Sequence, residues 1–443
     1  MLPRRTIRSL VAVFFMLCMA LACGAQQQPG SASQPAPPPR QESQPKQELP
    51  PQQEPPKQPD SPPTPASPQQ EPQPKQELPT PSPATSTEIV ITAVGDVMLG
   101  TTFPDVTGGD LPPHDGADVL REVTPLLERG DVVFGNLEGP LTDGGESRKC
   151  KGKREGTCYA FRVPTRYSKH LKAAGFTVMG LANNHALDFG PEGRVSSRHA
   201  LEEQGIAHSG DIGDIAHLDA KGRRVAVISF ATYPGAYNFL DLEDALETIT
   251  AASKEADFVI VTFHGGAEGV THQHVPQGEE EFLGENRGDL RRFTHAAIDA
   301  GAQLLLGSGP HVVRGMEIYK NRLIAYSLGN FATYGPFNMS GETGLSTILE
   351  AHLGPDGTFL GGCAYPVKQE KPGGPKIDLA MNILPVLRSL SQTDFGGRAI
   401  QVGPHGELMS PTGISPAVTC DLPKTDDQKT AGAGPVEINK EKK

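Results

Sequence analysis

The chain has 443 residues, 52 of them acidic and 40 Lys or Arg, for a formal charge of −12. That balance argues against a nucleic-acid binder, which needs a basic surface. Six cysteines and no tryptophan in a chain this long exclude a disulfide-dense miniprotein.

The first element is a targeting segment. Arg4, Arg5 and Arg8 precede an apolar run over 10–22, shorter than the ~20 residues of a membrane span but suited to a secretory signal. Ala20-Leu21-Ala22-Cys23-Gly24 admits two cuts. One resembles a lipoprotein box, with Cys23 acylated; the other is ordinary Ala-x-Ala cleavage. The lipid anchor is favoured, because a long Pro-rich segment follows directly. Of 42 prolines, 20 fall between positions 24 and 87, beside 14 glutamines. Such a stretch buries too little apolar surface to offset its ordering entropy and favours extended polyproline conformation. The expected organisation is a signal at 1–22, a stalk at 23–87, one folded domain at 88–416 and a polar tail at 417–443, all exported to the cell envelope. Export permits disulfides, and the four cysteines of the domain and tail allow three connectivities. Their spacing favours Cys150 with Cys158, which would leave Cys363 to hold Cys420.

From Glu88 short apolar runs alternate with amphipathic ones. Strands are expected at 89–94, 131–136, 177–182, 225–230, 258–263 and 303–306, with helices at 119–129, 164–175, 193–204, 240–254 and 290–300. Further strand-like pieces occur around 316–319, 323–326 and 346–353. The acidic run 279–281 reads as the start of a solvated helix, and His272 and His274 as exposed loop residues. Continuous apolar strands separated by helices indicate a layered α/β domain. The strand-rich last third suggests sheet stacked on sheet with helices outside.

Five of the six strands end in polar residues: Asp96, then Asn136 and Glu138, then Asn184 and His185, then His264, then His311. Only the strand at 225–230 lacks such an ending. Carboxyl ends of strands in open α/β sheets form the crevice where ligands bind. A lone Gly-Asp turn or a capping Asn needs no functional explanation; five such endings on one rim do. Carboxylate, amide oxygen and imidazole suit a hard or borderline divalent metal.

Six segments, in order, resemble the motif set of the capsule-synthesis CapA family. They are Gly95-Asp96-Val97-Met98-Leu99-Gly100, Asn136-Leu137-Glu138-Gly139-Pro140-Leu141-Thr142, 182–190 around Asn183-Asn184-His185, Phe263-His264-Gly265-Gly266, 307–312 and Tyr326-Ser327-Leu328-Gly329-Asn330-Phe331. That family is linked to poly-γ-glutamate capsule production and belongs to the calcineurin-like metallophosphatase superfamily. The resemblance implies a four-layer α/β/β/α sandwich. It makes Asp96 the first metal ligand, places Asn136 or Glu138 at the bridging acidic position and adds Asn184, His264 and His311 as ligands. His185 becomes the acid that steadies the leaving group. Two departures stand out. Met98 occupies the His position of the superfamily's Asp-x-His, and Gly309 the first position of its final His pair. A thioether is a poor ligand in an oxygen-rich site, so one Mn, Mg or Zn ion is expected rather than two.

The implied activity is metal-dependent hydrolysis of a phosphoester or a γ-glutamyl amide. The alternative is a non-catalytic scaffold that binds or exports polymer through a degenerate metal site. Arg148, Lys149, Lys151, Lys153 and Arg154 would supply the basic surface an anionic polymer needs. Expected partners are that polymer or a small-molecule substrate, the membrane through the lipid on Cys23, and capsule-synthesis subunits.

Overall fold

The computed structural model describes residues 88–104, 109–147, 149–151, 158–411 and 418–423. The expected signal and stalk, with Cys23, Arg148, Lys153 and Arg154, lie outside the described residues. The chain begins with β1 (Ile89–Met98), α1 (Thr124–Leu127), β2 (Val132–Leu137), α2 (Ser168–Ala173), β3 (Val178–Gly180), α3 (Gly190–Glu202) and β4 (Ala207–Ser209). It continues through β5 (Ala216–Ala220), β6 (Arg223–Ala231), β7 (Tyr237–Asn238), α4 (Leu242–Glu255) and β8 (Phe258–His264). A hairpin of β9 (Glu280–Phe282) and β10 (Glu285–Gly288) precedes α5 (Leu290–Asp299) and β11 (Leu304–Ser308). The last third holds β12 (Met316–Tyr319), β13 (Arg322–Ala325), β14 (Asn330–Thr333), β15 (Leu345–Leu353), β16 (Phe359–Gln369) and β17 (Pro375–Ile377). It closes with α6 (Ile383–Phe395), β18 (Gln401–Val402) and β19 (Glu407–Met409).

Two sheets result. The larger runs β18-β19-β16-β15-β1-β2-β3-β4, with β14 beside β1 and β17 beside β16. The smaller runs β12-β13-β11-β8-β6-β5, with β7 beside β6. Strands β1 to β4 are mutually parallel, as are β6, β8, β11 and β13. Successive side chains on a strand point to opposite faces, so each apolar strand feeds two cores. Ile89, Ile91, Val132 and Phe134 meet Val225, Val227, Ile260 and Leu306 between the sheets. On the outer face of the larger sheet Val133 and Met179 pack with Leu127, Leu171 and Leu201 from α1 to α3. On the outer face of the smaller one Ile228, Val261 and Leu305 pack with Ile249 and Phe293 from α4 and α5. Three cores separating four layers make an α/β/β/α sandwich. Ile383, Leu384 and Leu387 of α6 join the core between the sheets. No helix among the described residues is long and apolar enough to cross a membrane.

Three local expectations are corrected. The helix expected at 119–129 is helical only over Thr124–Leu127, with Pro125 in its first turn; proline has no N–H to donate and suits a helix start, not an interior. The acidic run 279–281 enters a strand, and Glu280 is buried in an ion pair with Arg314. At the far end Cys420 is bonded to Cys363, and Val418 and Leu422 pack on the outer core of the larger sheet. Residues 418–423 therefore belong to the folded domain and not to a tail. A second disulfide joins Cys150 and Cys158.

Candidate metal centre

Parallel register brings the strand ends to one rim. Asp96 pairs with Asn136 on β2 and with Asn330 on β14, while His264 on β8 pairs with Ser308 on β11. The close approach of β1 to the chain before β14 requires glycine. A Cβ on Gly95 would stand 1.9 Å from the Gly329 carbonyl oxygen, and the Asp96 N–H donates to that same oxygen at 3.0 Å.

Asp96 Oδ1 accepts from Asn136 Nδ2 at 2.8 Å, and Asp96 Oδ2 lies 3.1 Å from His311 Nδ1. His311 Nδ1 also faces Asn330 Oδ1 at 3.0 Å. With its proton directed there, His311 presents Nε2, 3.7 Å from Glu138 Oε1 and 4.0 Å from Glu268 Oε2. His264 Nε2 stands 3.9 Å from the same Glu138 oxygen, and its Nδ1 lies 3.3 Å from Ser308 Oγ. Ser308 Oγ in turn donates to Phe263 O. Nδ1 also lies 3.4 Å from Asn136 Nδ2, while Nε2 has no hydrogen-bond partner among the described residues. A cation bound at Nε2 would place the ring proton on Nδ1, where Ser308 Oγ can accept it. His311 holds a left-handed φ of 59°, a conformation that non-glycine residues keep only where the surroundings impose it.

Asp96, Glu138 and His311 each offer a donor atom, all within 4.8 Å of one another, and this group could hold a metal ion. Both Glu138 oxygens, Asn184 Oδ1 and His264 Nε2 are buried without a hydrogen-bond partner among the described residues. Asn184 meets Lys149 through its backbone carbonyl, 3.0 Å from the amine. Buried polar atoms are ordinarily satisfied, so the two Glu138 oxygens and His264 Nε2, orphaned within one cluster, fit an oxygen- and imidazole-bound cation. Without one, protonation balances the charge. Burial and then the Asp96 charge push the Glu138 pKa well above its ordinary value. Burial pulls the His311 pKa down, but the Glu138 charge and the Asp96 hydrogen bond outweigh it and raise it to about 10. Burial, followed by the Arg287 charge, holds His264 well below its ordinary pKa.

A second group lies alongside. Asn183 donates to Asn136 Oδ1 at 3.2 Å and to Leu137 O at 2.9 Å, and accepts from the His185 N–H at 3.1 Å. His185 Nδ1 lies 2.7 Å from Asp188 Oδ2, which also accepts from Phe161 N. The Phe161 ring packs on the imidazole with centroids 4.4 Å apart. Burial lowers the His185 pKa against the opposing pull of Asp188.

Asp96, Glu138, His264 and His311 therefore meet. Asn136 spends its amide on Asp96 and Asn183, so Glu138 is the residue of that pair with oxygens to spare. Met98 is buried in the outer core of the larger sheet. A side chain at Gly309 would crowd Gly265 N at 3.0 Å from a φ of 109°, so a histidine there would be strained in this backbone conformation. The Lys149 amine reaches Asp188 at 2.9 Å, Asn184 O at 3.0 Å and His185 Nδ1 at 3.1 Å, so it is tied to the second group. Lys151 is exposed. His272 bonds Glu268 O and His274 bonds Asp394.

Sequence reasoning assigned no role to Asn183, Asp188, Asn330, Glu268, Tyr233 or Arg287. The first three lie inside the quoted motifs, and Glu268 follows His264 by four positions. The strand at 225–230 does contribute, through Tyr233 beyond its end, whose ring stands 6.2 Å from that of His264.

A sandwich whose parallel strands deliver carboxylates and imidazoles to one buried cluster defines an α/β/β/α protein with a metal-type site at its strand ends. More narrowly, residues 90–334 match the family described as bacterial capsule synthesis protein PGA_cap, and the chain belongs to that family. The capsule biosynthesis protein CapA of Bacillus anthracis is 29% identical over 295 residues, covering 62% of this chain and 66% of that protein, just under two thirds of its length. The PGA biosynthesis protein CapA of Bacillus subtilis (strain 168) is 28% identical over 300 residues, covering 63% and 72%. Among solved structures, the calcineurin-like phosphoesterase YfkN from Bacillus subtilis aligns at 14% identity with a TM-score of 0.32, covering 66% of this chain and 88% of that one. The layer assignment rests on the three cores and not on that alignment.

Proposed function

We propose that this protein is an exported, lipid-anchored component of bacterial capsule synthesis that acts on poly-γ-glutamate or a related anionic polymer through a one-metal hydrolase site. Family membership and the names of the CapA relatives support the polymer assignment. The basic and apolar signal ending at Cys23 supports export and anchoring, and capsule-synthesis subunits are the partners to be sought. The observation that carries the site is the set of orphaned atoms on Glu138 and His264 beside Asp96 and His311.

Asp96, Glu138, Asn184, His264 and His311 would hold one Mn, Mg or Zn ion. Such an ion supplies Lewis-acid polarisation of the scissile group and activation of water. Asp188 holds His185 by Nδ1, which leaves Nε2 to exchange a proton with the leaving atom. Phe161 fixes the plane of that ring and shields it from water. Lys149 neutralises Asp188. A second reading, a binding or export scaffold without turnover, is favoured by Met98 and Gly309, which remove two expected imidazoles.

The test is the metal-stripped, purified protein titrated with Mn²⁺ and assayed on γ-glutamyl polymer and on a chromogenic phosphodiester. Metal-dependent turnover that His185→Ala abolishes supports the hydrolase. Cation and polymer binding without turnover supports the scaffold, and failure to bind any cation rejects the metal site under either reading.

A further inference from the structure

We propose that Arg287, positioned by Tyr233, is a recognition site for an oxyanion, carboxylate or phosphate, carried by the ligand of the neighbouring centre. This rests on reading that centre as a metal-dependent ligand site. Arg287 lies on β10, in the hairpin between β8 and α5. The Gly266 N–H donates to its carbonyl at 2.9 Å, which ties the hairpin to the turn just after His264.

The guanidinium is 1% exposed. One corner is occupied: Nη1 donates to the Tyr233 hydroxyl at 2.7 Å and to Glu268 Oε1 at 3.0 Å. The more exposed Glu285 carboxylate lies 3.8 Å from the same nitrogen. The other edge is different. Nε and Nη2 are both buried and have no hydrogen-bond partner among the described residues. These two donors lie side by side on one edge of the planar group, the fork that grips two oxygens of a carboxylate or phosphate.

Two partners of Arg287 also reach the centre. Glu268, bonded to Arg287, reaches within 4.0 Å of His311. Tyr233, also bonded to Arg287, packs its ring 6.2 Å from His264. The guanidinium is thus one residue removed from two sides of the centre. Arg314 differs in that both of its Nη atoms are bonded to Glu280, which leaves only Nε without a partner and no open fork. Glu268 and Glu285 approach the Nη1 corner, so neither occupies the free edge.

The test uses the purified full chain, with and without Mn²⁺, titrated calorimetrically with inorganic phosphate and with γ-glutamyl-glutamate. The two anions separate a phosphate source from a carboxylate source. Arg287→Lys keeps the charge but loses the fork; it is expected to keep Mn²⁺ affinity and to weaken the preferred anion about tenfold or more. Anion affinity unchanged in Arg287→Lys overturns the proposal, as does a wild-type protein that binds neither anion. If Arg287→Lys does not fold, Tyr233→Phe decides, with weaker anion binding expected and unchanged binding overturning the assignment. A wild type that binds no Mn²⁺ but binds an anion through Arg287 retires the metal reading and leaves the oxyanion site standing.

Discussion

Asn136 Nδ2 donates to Asp96 Oδ1 at 2.8 Å, while Asn136 Oδ1 accepts from Asn183. The amide is committed at both ends, so Asn136 aims a ligand rather than being one. Removing such a partner typically lowers metal affinity about 10- to 100-fold. Asn136→Leu is expected to weaken Mn²⁺ binding by that amount in a calorimetric titration, and Asp96→Asn by more. Wild-type affinity in Asn136→Leu would show that Asp96 needs no support.

Glu138 invites a test on stability instead. Both of its oxygens are buried without a partner, a destabilising arrangement for any carboxylate. Metal-free Glu138→Gln is expected to melt no lower than the metal-free wild type. Mn²⁺ at a hundred times its dissociation constant should stabilise the wild type by about 2.7 kcal/mol and leave the variant unmoved. A metal-free variant that melts well below the wild type would show that the carboxylate is satisfied without a cation.

The rim was legible because parallel strands leave little freedom. An apolar run that ends in a polar residue must deliver it to the carboxyl edge, which is why Asp96, Glu138, His264 and His311 could be named from spacing. What could not be read depends on side chains meeting across the fold. Glu138 and Asn136 differ only in what their head groups bond. Lys149 sits in a basic run that looks solvated until Asp188 is seen beneath it. Glu280 shows the same blindness: three consecutive acids look like a solvated helix start, and Arg314, far along the chain, is what buries the middle one. The shortened helix at Thr124–Leu127 is different in kind, because Pro125 is visible in the sequence and suits a helix start, not the interior of a helix over 119–129.

His208, on edge strand β4, places Nδ1 2.9 Å from Asp214 and Nε2 3.1 Å from Glu202. Only the imidazolium can donate to both. Burial pulls its pKa down, but the hydrogen bonds to Asp214 and Glu202 outweigh burial and raise it. A histidine whose folded pKa exceeds its unfolded value of ~6.5 stabilises fully below that pH, and the contribution disappears as pH rises through the folded value. His208→Gln is therefore expected to lose more unfolding free energy in urea at about pH 5 than at about pH 9. An equal loss at both would mean that the two carboxylates bind the ring without changing its protonation.

Glu280 bears on the centre from a distance. Its oxygens take Arg314 Nη1 at 2.8 Å and Nη2 at 2.7 Å, and Oε2 also accepts from Ala267 N at 2.9 Å. Arg314 Nη2 donates to Ala267 O at 3.0 Å. The buried pair thus clamps the turn whose next residue, Glu268, faces His311. Glu280→Gln leaves the Arg314 charge buried without its counter-ion and is expected to destabilise by about 3–5 kcal/mol. Replacing both residues with Met removes the charges together, and buried pairs exchanged for apolar side chains are often neutral in stability. The double variant should therefore recover most of the unfolding free energy. It should not recover Mn²⁺ affinity, because neither Met can hold the Ala267 amide and carbonyl that fix the turn. Urea unfolding and Mn²⁺ titration of both variants separate the two effects. A double variant that is stable and binds Mn²⁺ like the wild type would show that the clamp serves the fold alone.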